Sequence, residues 1–295
     1  MKFKKLFVFI LLSLVIAAIT LFIIQKRFAV SDNTYEKSVL LAYKVDEARY
    51  LVSCSDNKIN IYLENGKIFS QYELKNEIIL SNAISDLDND GKDEIILLTS
   101  NKAAQYGDDL VVLSYKDYRA TNAGTDNIIF KEIYRNHCKD LNPWKVQTSD
   151  VDGDGNTEIS IGVYKTSPLH QVMAKRPFIY DWVNGGIFPK WRGSRLSRPF
   201  DDYIFLDLDS DGRDEIVSIE HTSNDERILT SYSWKGFGFE KTGESQSFEN
   251  ISSLQAELCK GEKNSIITAK VKTGTNWLKK KFYYFDGKIL DVQKK

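Results

Sequence analysis

The sequence contains few of the residues that mark disulfide frameworks, zinc sites or flexible linkers. Its 295 residues include three cysteines and five prolines. Cys54, Cys138 and Cys259 are too few, and odd in number, for a disulfide framework, and their spacings match no zinc-binding pattern. We expect small buried apolar residues, although one pair could form in an oxidising exterior. The scarcity of proline and the lack of low-complexity tracts exclude a long flexible linker, apart from the polar stretch 31–37.

The sequence also lacks the common catalytic signatures. There is no G-x-S-x-G, no glycine-rich phosphate loop and no C-x-x-C. None of the three histidines, His137, His170 and His221, stands beside a nucleophile or in an H-x-x-x-H pattern. Asp201 and Asp202 are neighbours, and neighbouring residues on a strand face opposite ways, so they do not form an acid–base pair. The sequence therefore predicts no enzyme.

Charge is absent from residues 6–24, where Ser13 and Thr20 are the only polar residues. As a helix this stretch spans about 28 Å, close to the roughly 30 Å hydrocarbon core of a bilayer. Apolar residues continue to Ile24 instead of the small residues of a cleavage site, which favours an uncleaved signal anchor over a cleaved signal peptide. The preceding lysines predict a cytoplasmic N-terminus. We therefore predict a single-pass anchor at 1–27, a short linker at 28–35 and an exported domain at 36–295.

The net charge of −1 conceals an asymmetry. Residues 1–27 contain five cations and no acid, so the remaining chain has 35 cations against 41 acids, or about −6. An acidic domain is a poor general binder of nucleic acid. It is better suited to binding cations.

One acidic decapeptide occurs three times, as DLDNDGKDEI (86–95), DVDGDGNTEI (150–159) and DLDSDGRDEI (207–216). Counted from the first Asp, carboxylates stand at positions 1, 3, 5 and 9, and glycine stands at position 6. These acids are Asp86, Asp88, Asp90 and Glu94; Asp150, Asp152, Asp154 and Glu158; and Asp207, Asp209, Asp211 and Glu215. Alternate acids in a tight turn converge on one point, and glycine allows the backbone to direct the position 7 carbonyl inward.

This pattern predicts a calcium site in each decapeptide. The position 7 carbonyls belong to Lys92, Asn156 and Arg213. Four carboxylates and one carbonyl, completed by a bidentate acid or water, supply the six to eight oxygens that Ca²⁺ prefers, whereas Mg²⁺ requires a stricter octahedron. The alternative is three solvated acidic turns. It is disfavoured because two carboxylates about 4 Å apart repel by roughly 4 kcal/mol at an effective dielectric of 20.

The residues around the decapeptides predict strands. An EF-hand would require an acid at position 12, where this sequence has Leu97, Ile161 and Ser218. The following runs EIILLTS, EISIGVY and EIVSIE are rich in β-branched residues. Each site is therefore predicted to join two strands, with the apolar residue at position 2 (Leu87, Val151 or Leu208) packed into the core.

The spacing of 64 and 57 residues between the decapeptides is a repeat period. Hairpins complete a four-stranded unit around each one, and similar units without the acidic loop occupy about 36–75 and 250–292. Five units, each too small to bury a face alone, predict an all-β fold, a β-propeller of about five four-stranded blades. A sandwich or a solenoid is the alternative.

The D-x-D-x-D-G-x-x-[DE] loop between strands, repeated about every 60 residues, resembles the FG-GAP/VCBS repeats of integrin α-subunit propellers and many bacterial surface proteins. The resemblance covers about 76–245 and implies Ca²⁺ in each loop. Position 9 is Glu instead of the commoner Asp, and the Phe-Gly/Gly-Ala-Pro signature is absent. That family includes adhesion modules, lectins and polysaccharide-active enzymes.

The segment KWRGSRLSRPFDDY (190–203) is a basic and aromatic island in an acidic domain. Its cations are Lys190, Arg192, Arg195 and Arg198, and its aromatics include Trp191, Phe200 and Tyr203. It could bind an anionic glycan or a partner, or it could be a connector whose cations pair with nearby acids, the interpretation that we favour.

We predict a membrane-anchored, extracytoplasmic binding or scaffolding module for a protein or glycan ligand. The alternative is an exported enzyme or lectin that acts on surface polysaccharide.

Overall fold

The computed structural model describes residues 41–292, except 46–47, 64, 121–125, 194 and 258–264. The predicted anchor, the linker and the first residues of the domain lie outside this part, as does Cys259. Within the described residues, no helix combines the length and apolar character needed to cross a bilayer.

The described chain forms twenty β-strands and one short 3-10 turn, Lys139–Leu141. The predicted all-β class is confirmed. The first sheet contains β1 (Leu41–Val45), β2 (Ala48–Ser55), β3 (Lys58–Tyr62) and β4 (Ile68–Glu73). The second contains β5 (Ile78–Ser85), β6 (Glu94–Ser100), β7 (Asp109–Ala120) and β8 (Asp126–His137). The third contains β9 (Pro143–Ser149), β10 (Glu158–Ser167), β11 (His170–Val183) and β12 (Gly186–Trp191). The fourth contains β13 (Phe200–Leu206), β14 (Glu215–His221), β15 (Arg227–Trp234) and β16 (Phe239–Glu244). The fifth contains β17 (Asn250–Glu257), β18 (Ile266–Thr273), β19 (Asn276–Phe285) and β20 (Lys288–Asp291).

Each sheet is an antiparallel meander in which consecutive strands are neighbours. The fourth and fifth sheets are also joined by a parallel contact between β16 and β20, where Glu244 pairs with Lys288. The first strands of successive sheets contact one another, β1 with β5, β5 with β9, β9 with β13, and β13 with β17. The five predicted units are therefore five consecutive sheets arranged around their first strands.

Apolar cores lie between consecutive sheets. Ile61 of the first sheet packs in one cluster with Leu97 of the second, and similar clusters join the second to the third and the third to the fourth sheet. A fourth cluster joins the fourth and fifth sheets, for example Val217 with Ile267. All buried apolar residues of the fifth sheet that the structure describes belong to this cluster. Burial on both faces explains the continuous apolar runs of β6, β10 and β14.

Candidate metal centres

The three acidic decapeptides occupy the same place in three successive sheets. Each loop connects the first strand of a sheet to its second: 86–93 between β5 and β6, 150–157 between β9 and β10, and 207–214 between β13 and β14. We call them the first, second and third acidic loops. The strand–loop–strand arrangement predicted from the sequence is confirmed. The apolar residues at position 2, Leu87, Val151 and Leu208, are buried in the cores as predicted.

Hydrogen bonds within each loop turn the backbone tightly. The position 6 glycine donates its N–H to the first aspartate, at 2.9 Å for Gly91 to Asp86 Oδ2, with 2.9 and 3.1 Å in the other two loops. The position 7 N–H is bonded to the position 5 carboxylate at 2.8 to 2.9 Å. Each glycine has φ between +82° and +89°, the left-handed region that L-residues with a side chain rarely adopt.

The position 9 glutamate is buried under each loop and is bonded to the loop backbone. Glu94, Glu158 and Glu215 are at most 4% exposed. One carboxylate oxygen accepts the N–H of the position 2 residue at 2.9 to 3.0 Å. Burial raises the pKa of each glutamate to about 7, because desolvation outweighs the hydrogen bonds that favour the charged form.

The structure gathers three of the predicted ligands in each loop. One oxygen from each member lies within 4.8 Å of the others, and the groups are Asp86, Asp88 and Asp90; Asp150, Asp152 and Glu158; and Asp207, Asp209 and Glu215. Two oxygens bound to one Ca²⁺ at about 2.4 Å are at most about 4.8 Å apart, so these sets fit a shared ion. Glu94, Asp154 and Asp211 lie outside these groups. The carbonyls of Lys92, Asn156 and Arg213 remain predicted ligands.

The second loop contains an internal cation. The ammonium of Lys190 lies 2.6 Å from Asp152 Oδ2, 2.7 Å from Glu158 Oε1 and 3.0 Å from Asp181 Oδ1. Burial lowers the pKa of Lys190, but the three carboxylates outweigh it and hold the pKa above its ordinary value. The other oxygen of Asp152 is buried and has no hydrogen-bond partner among the described residues.

In the first and third loops, the position 8 aspartate bonds to backbone groups of the preceding four-stranded unit, a role that the spacing of the acids does not indicate. Asp93 Oδ2 accepts the N–H of Lys44 at 2.6 Å, and the Asp93 N–H is bonded to the Lys44 carbonyl at 2.8 Å. Asp214 makes the same pair of bonds to Asp150, at 3.0 and 2.7 Å. No sequence signal identified this role, because the partners are backbone groups on another sheet.

The basic island is largely a connector between sheets, as favoured from the sequence. Arg198 Nη1 contacts Glu244 at 2.7 Å and Glu220 at 3.4 Å. Trp191 packs edge-on against Phe239 with ring centroids 5.0 Å apart. Phe200 and Tyr203 are buried, whereas Arg192 and Arg195 are exposed.

The histidines and the described cysteines have structural surroundings. His137 pairs with Asp109 and His221 with Asp201, each at 2.7 Å, while His170 lies 3.1 Å from the Arg176 guanidinium. Cys54 and Cys138 are free thiols, and burial raises the pKa of each to about 12. Burial therefore disfavours the thiolate, the reactive form of cysteine, in both residues.

No protein-family model matches the chain, and no curated protein matches it. Among solved structures it is similar to BBS1N in complex with ARL6DN. In the crystal soaked with lead the identity is 12%, the match covers 87% of this chain and 69% of that one, and the TM-score is 0.52; in the mercury soak these values are 13%, 86%, 65% and 0.50. The Dos1 propeller is also similar, at 11% identity, 75% and 50% coverage and a TM-score of 0.44, so the chain spans about half of its length.

These neighbours are β-propellers. Together with the five consecutive four-stranded sheets, the likeness to the BBS1N structures defines the fold as a β-propeller. At these identities the likeness establishes the fold alone.

Proposed function

We propose that this chain is a calcium-binding β-propeller with FG-GAP/VCBS-type repeats that acts as an extracytoplasmic binding or scaffolding module. The supporting observation is the equivalence of the three acidic loops. Each one joins the first and second strands of a sheet, and each gathers three carboxylates within the span of one ion. Three independent solvated turns would not need to join equivalent strands, and they would not each need a buried glutamate at position 9.

Calcium has a structural role in this proposal. A divalent ion neutralises the clustered acids, which otherwise repel, and binding only to the folded loop stabilises the fold through linkage. Because position 8 bonds the first and third loops to the preceding sheet, an ion in either loop also stabilises a contact between sheets.

A calcium titration of the full-length protein tests this proposal. The melting temperature should rise with calcium, and Asp86→Asn or Asp207→Asn should each remove part of that rise. Asp225→Asn is the matched control, because this side chain is 95% exposed on a turn outside the acidic loops. Identical melting in calcium and in chelator would refute the calcium sites.

We further propose that residues 1–27 hold the module at the membrane and that its ligand is a protein. The BBS1N structures contain a protein partner, ARL6DN, which is compatible with this role for a propeller of this kind. Protease digestion of intact and of permeabilised cells tests the orientation. Degradation of the propeller only after permeabilisation would contradict export to the cell exterior.

One observation favours the alternative of a lectin or polysaccharide-active protein. A groove of about 850 Å³ opens where the β2–β3 turn meets the β4–β5 connection, at the opposite end of the strands from the acidic loops. Acids and amides line it, including Asp56, Asn57 and Glu73. Glu77 Oε2 is buried there with no hydrogen-bond partner among the described residues. Such groups suit sugar hydroxyls. Glycan-array binding that Asn57→Ala abolishes would favour a lectin, and release of a shorter glycan would identify an enzyme.

A further inference from the structure

The second acidic loop differs from the others in the residue opposite its position 9 glutamate. Ile95, Ile159 and Ile216 follow these glutamates and pair with Leu113, Tyr180 and Tyr232 on the next strand. The next residue on that strand is therefore equivalent in the three sheets. It is Ser114 in the second sheet and Ser233 in the fourth, where each hydroxyl donates to the glutamate at 3.0 or 3.1 Å. In the third sheet it is Asp181, which adds a carboxylate.

A bulge on the fourth strand of the third sheet supplies the compensating cation. Ile179 pairs with Trp191 and Tyr180 with Pro189, so Lys190 is the extra residue. Bulges at the same register make Ile133 the extra residue in the second sheet and Thr242 the extra residue in the fourth. Among these three equivalent positions, only the bulge beside the second loop carries a charge.

The ammonium of Lys190 binds two of the three clustered acids of the second loop. It takes one oxygen of Asp152 and one of Glu158, together with Asp181, all within 3.0 Å, and the side chain is 14% exposed. An ion entering this loop would share two of its ligand groups with a fixed positive charge a few ångströms away. In the first and third loops the corresponding glutamate oxygen accepts a hydrogen bond from a neutral serine hydroxyl.

We propose that Lys190 is a built-in counter-cation that makes the second loop the weak calcium site of the set. This inference rests on the proposed calcium function. Lys190 replaces part of the charge that an ion would bring, so the middle loop keeps its shape with less dependence on calcium. Within the part of the chain that the structure describes, one Asp152 oxygen has no hydrogen-bond partner. The loop therefore retains some affinity, while the first and third loops fill first.

Calorimetric titration of the full-length protein with calcium tests this inference. The wild type should bind two ions tightly and a third at least about tenfold more weakly, a difference of about 1.4 kcal/mol. The double variant Asp181→Ser with Lys190→Thr gives the third sheet the pair found in the fourth, and its three sites should become similar. Three equal sites in the wild type, or a double variant with the wild-type pattern, would overturn the inference.

A reciprocal exchange keeps the inference testable if that variant does not fold. Ser233→Asp with Thr242→Lys gives the fourth sheet the pair found in the third, and the third loop should lose at least about tenfold in affinity. Unchanged affinity in a variant with the wild-type circular dichroism spectrum would contradict the role of Lys190. If the wild type binds no calcium at all, the proposed function fails instead; three equal sites would leave that function intact.

Discussion

At the residue scale, Glu220 is a fully buried acid outside the acidic loops. It lies on β14. Ser218 and Thr230 donate to its oxygens at 3.2 Å, Tyr232 also donates, and Arg198 lies 3.4 Å away. Burial nevertheless raises the pKa of Glu220, because desolvation exceeds the stabilisation from these four partners.

This shift gives a testable pH dependence for Glu220→Gln. A folded pKa above the unfolded value of about 4.3 means that Glu220 favours folding while protonated and that this contribution is lost as the pH rises through the folded pKa. Glutamine cannot ionise. The melting temperature of Glu220→Gln minus that of the wild type should therefore increase from pH 4 to pH 7, measured in thermal melts.

Glu240→Gln serves as the control, because Glu240 is exposed on the neighbouring strand. The difference in melting temperature between Glu240→Gln and the wild type should change less from pH 4 to pH 7 than the difference for Glu220→Gln. A difference for Glu220→Gln that stays constant, or that decreases with pH, would mean that the hydrogen bonds and Arg198 outweigh burial.

At the scale of loops and strands, the position 8 aspartates predict how the sheets are coupled. Asp214→Ala removes the hydrogen bond that the Asp150 N–H donates to the Asp214 carboxylate, while the bond from the Asp214 N–H to the Asp150 carbonyl can persist. A hydrogen bond to a charged group contributes about 1.5–3 kcal/mol. We expect a loss near the lower limit, about 1–2 kcal/mol in the free energy of unfolding, because burial raises the pKa of Asp214. Urea unfolding in calcium-free buffer measures this loss.

Asp225→Ala is the matched control for this measurement. Asp225 is 95% exposed, and its carboxylate lies 3.5 Å from Arg227. Surface pairs of this kind contribute little to stability. Equal urea midpoints for the two variants would show that the contact between the second and third loops does not depend on the Asp214 side chain.

The strands next to the acidic loops could be predicted from sequence because their β-branched residues are buried on both faces. β6, β10 and β14 all follow this rule. The outer units were less legible. In β17, NISSLQAE, the adjacent Ser252 and Ser253 interrupt the apolar–polar alternation, and β1, LAYKV, is only five residues long, so neither segment gives a clear strand signal.

Two features of the candidate sites could not be found by pattern alone. In the sequence Lys190 belongs to the basic island, and its place beside the second loop depends on a bulge that shifts the register by one residue. The position 8 contacts depend on backbone groups of another sheet, which leave no mark in side-chain spacing. Local alternation predicts strands, whereas contacts between sheets require the assembled fold.

At the scale of the whole molecule, the fifth sheet presents a charged face away from its core. Lys270 stands directly opposite Lys279, and Lys281 lies on the same face. Like charges directly opposite each other destabilise a pair of strands, and Glu257 offsets this by contacting Lys279 and Lys281. Such a face resists stacking against another sheet. The described core of the fifth sheet is accordingly shared with the fourth sheet alone.

Hydrogen exchange should therefore differ between the central sheets and the fifth. β6 is buried at every position, whereas Phe282 is the single buried residue of β19. An amide in a strand that is covered on both faces is exposed to solvent only when two cores open. The amides of β6, β10 and β14 should therefore exchange most slowly. β19 and β20 should exchange fastest among the strands of the last two sheets. Exchange measured by mass spectrometry, with and without calcium, provides the comparison. Protection of β19 equal to that of β14 would mean that the lysine-bearing face is covered in the intact protein. The two-faced burial of the second, third and fourth sheets would then not set the order of opening.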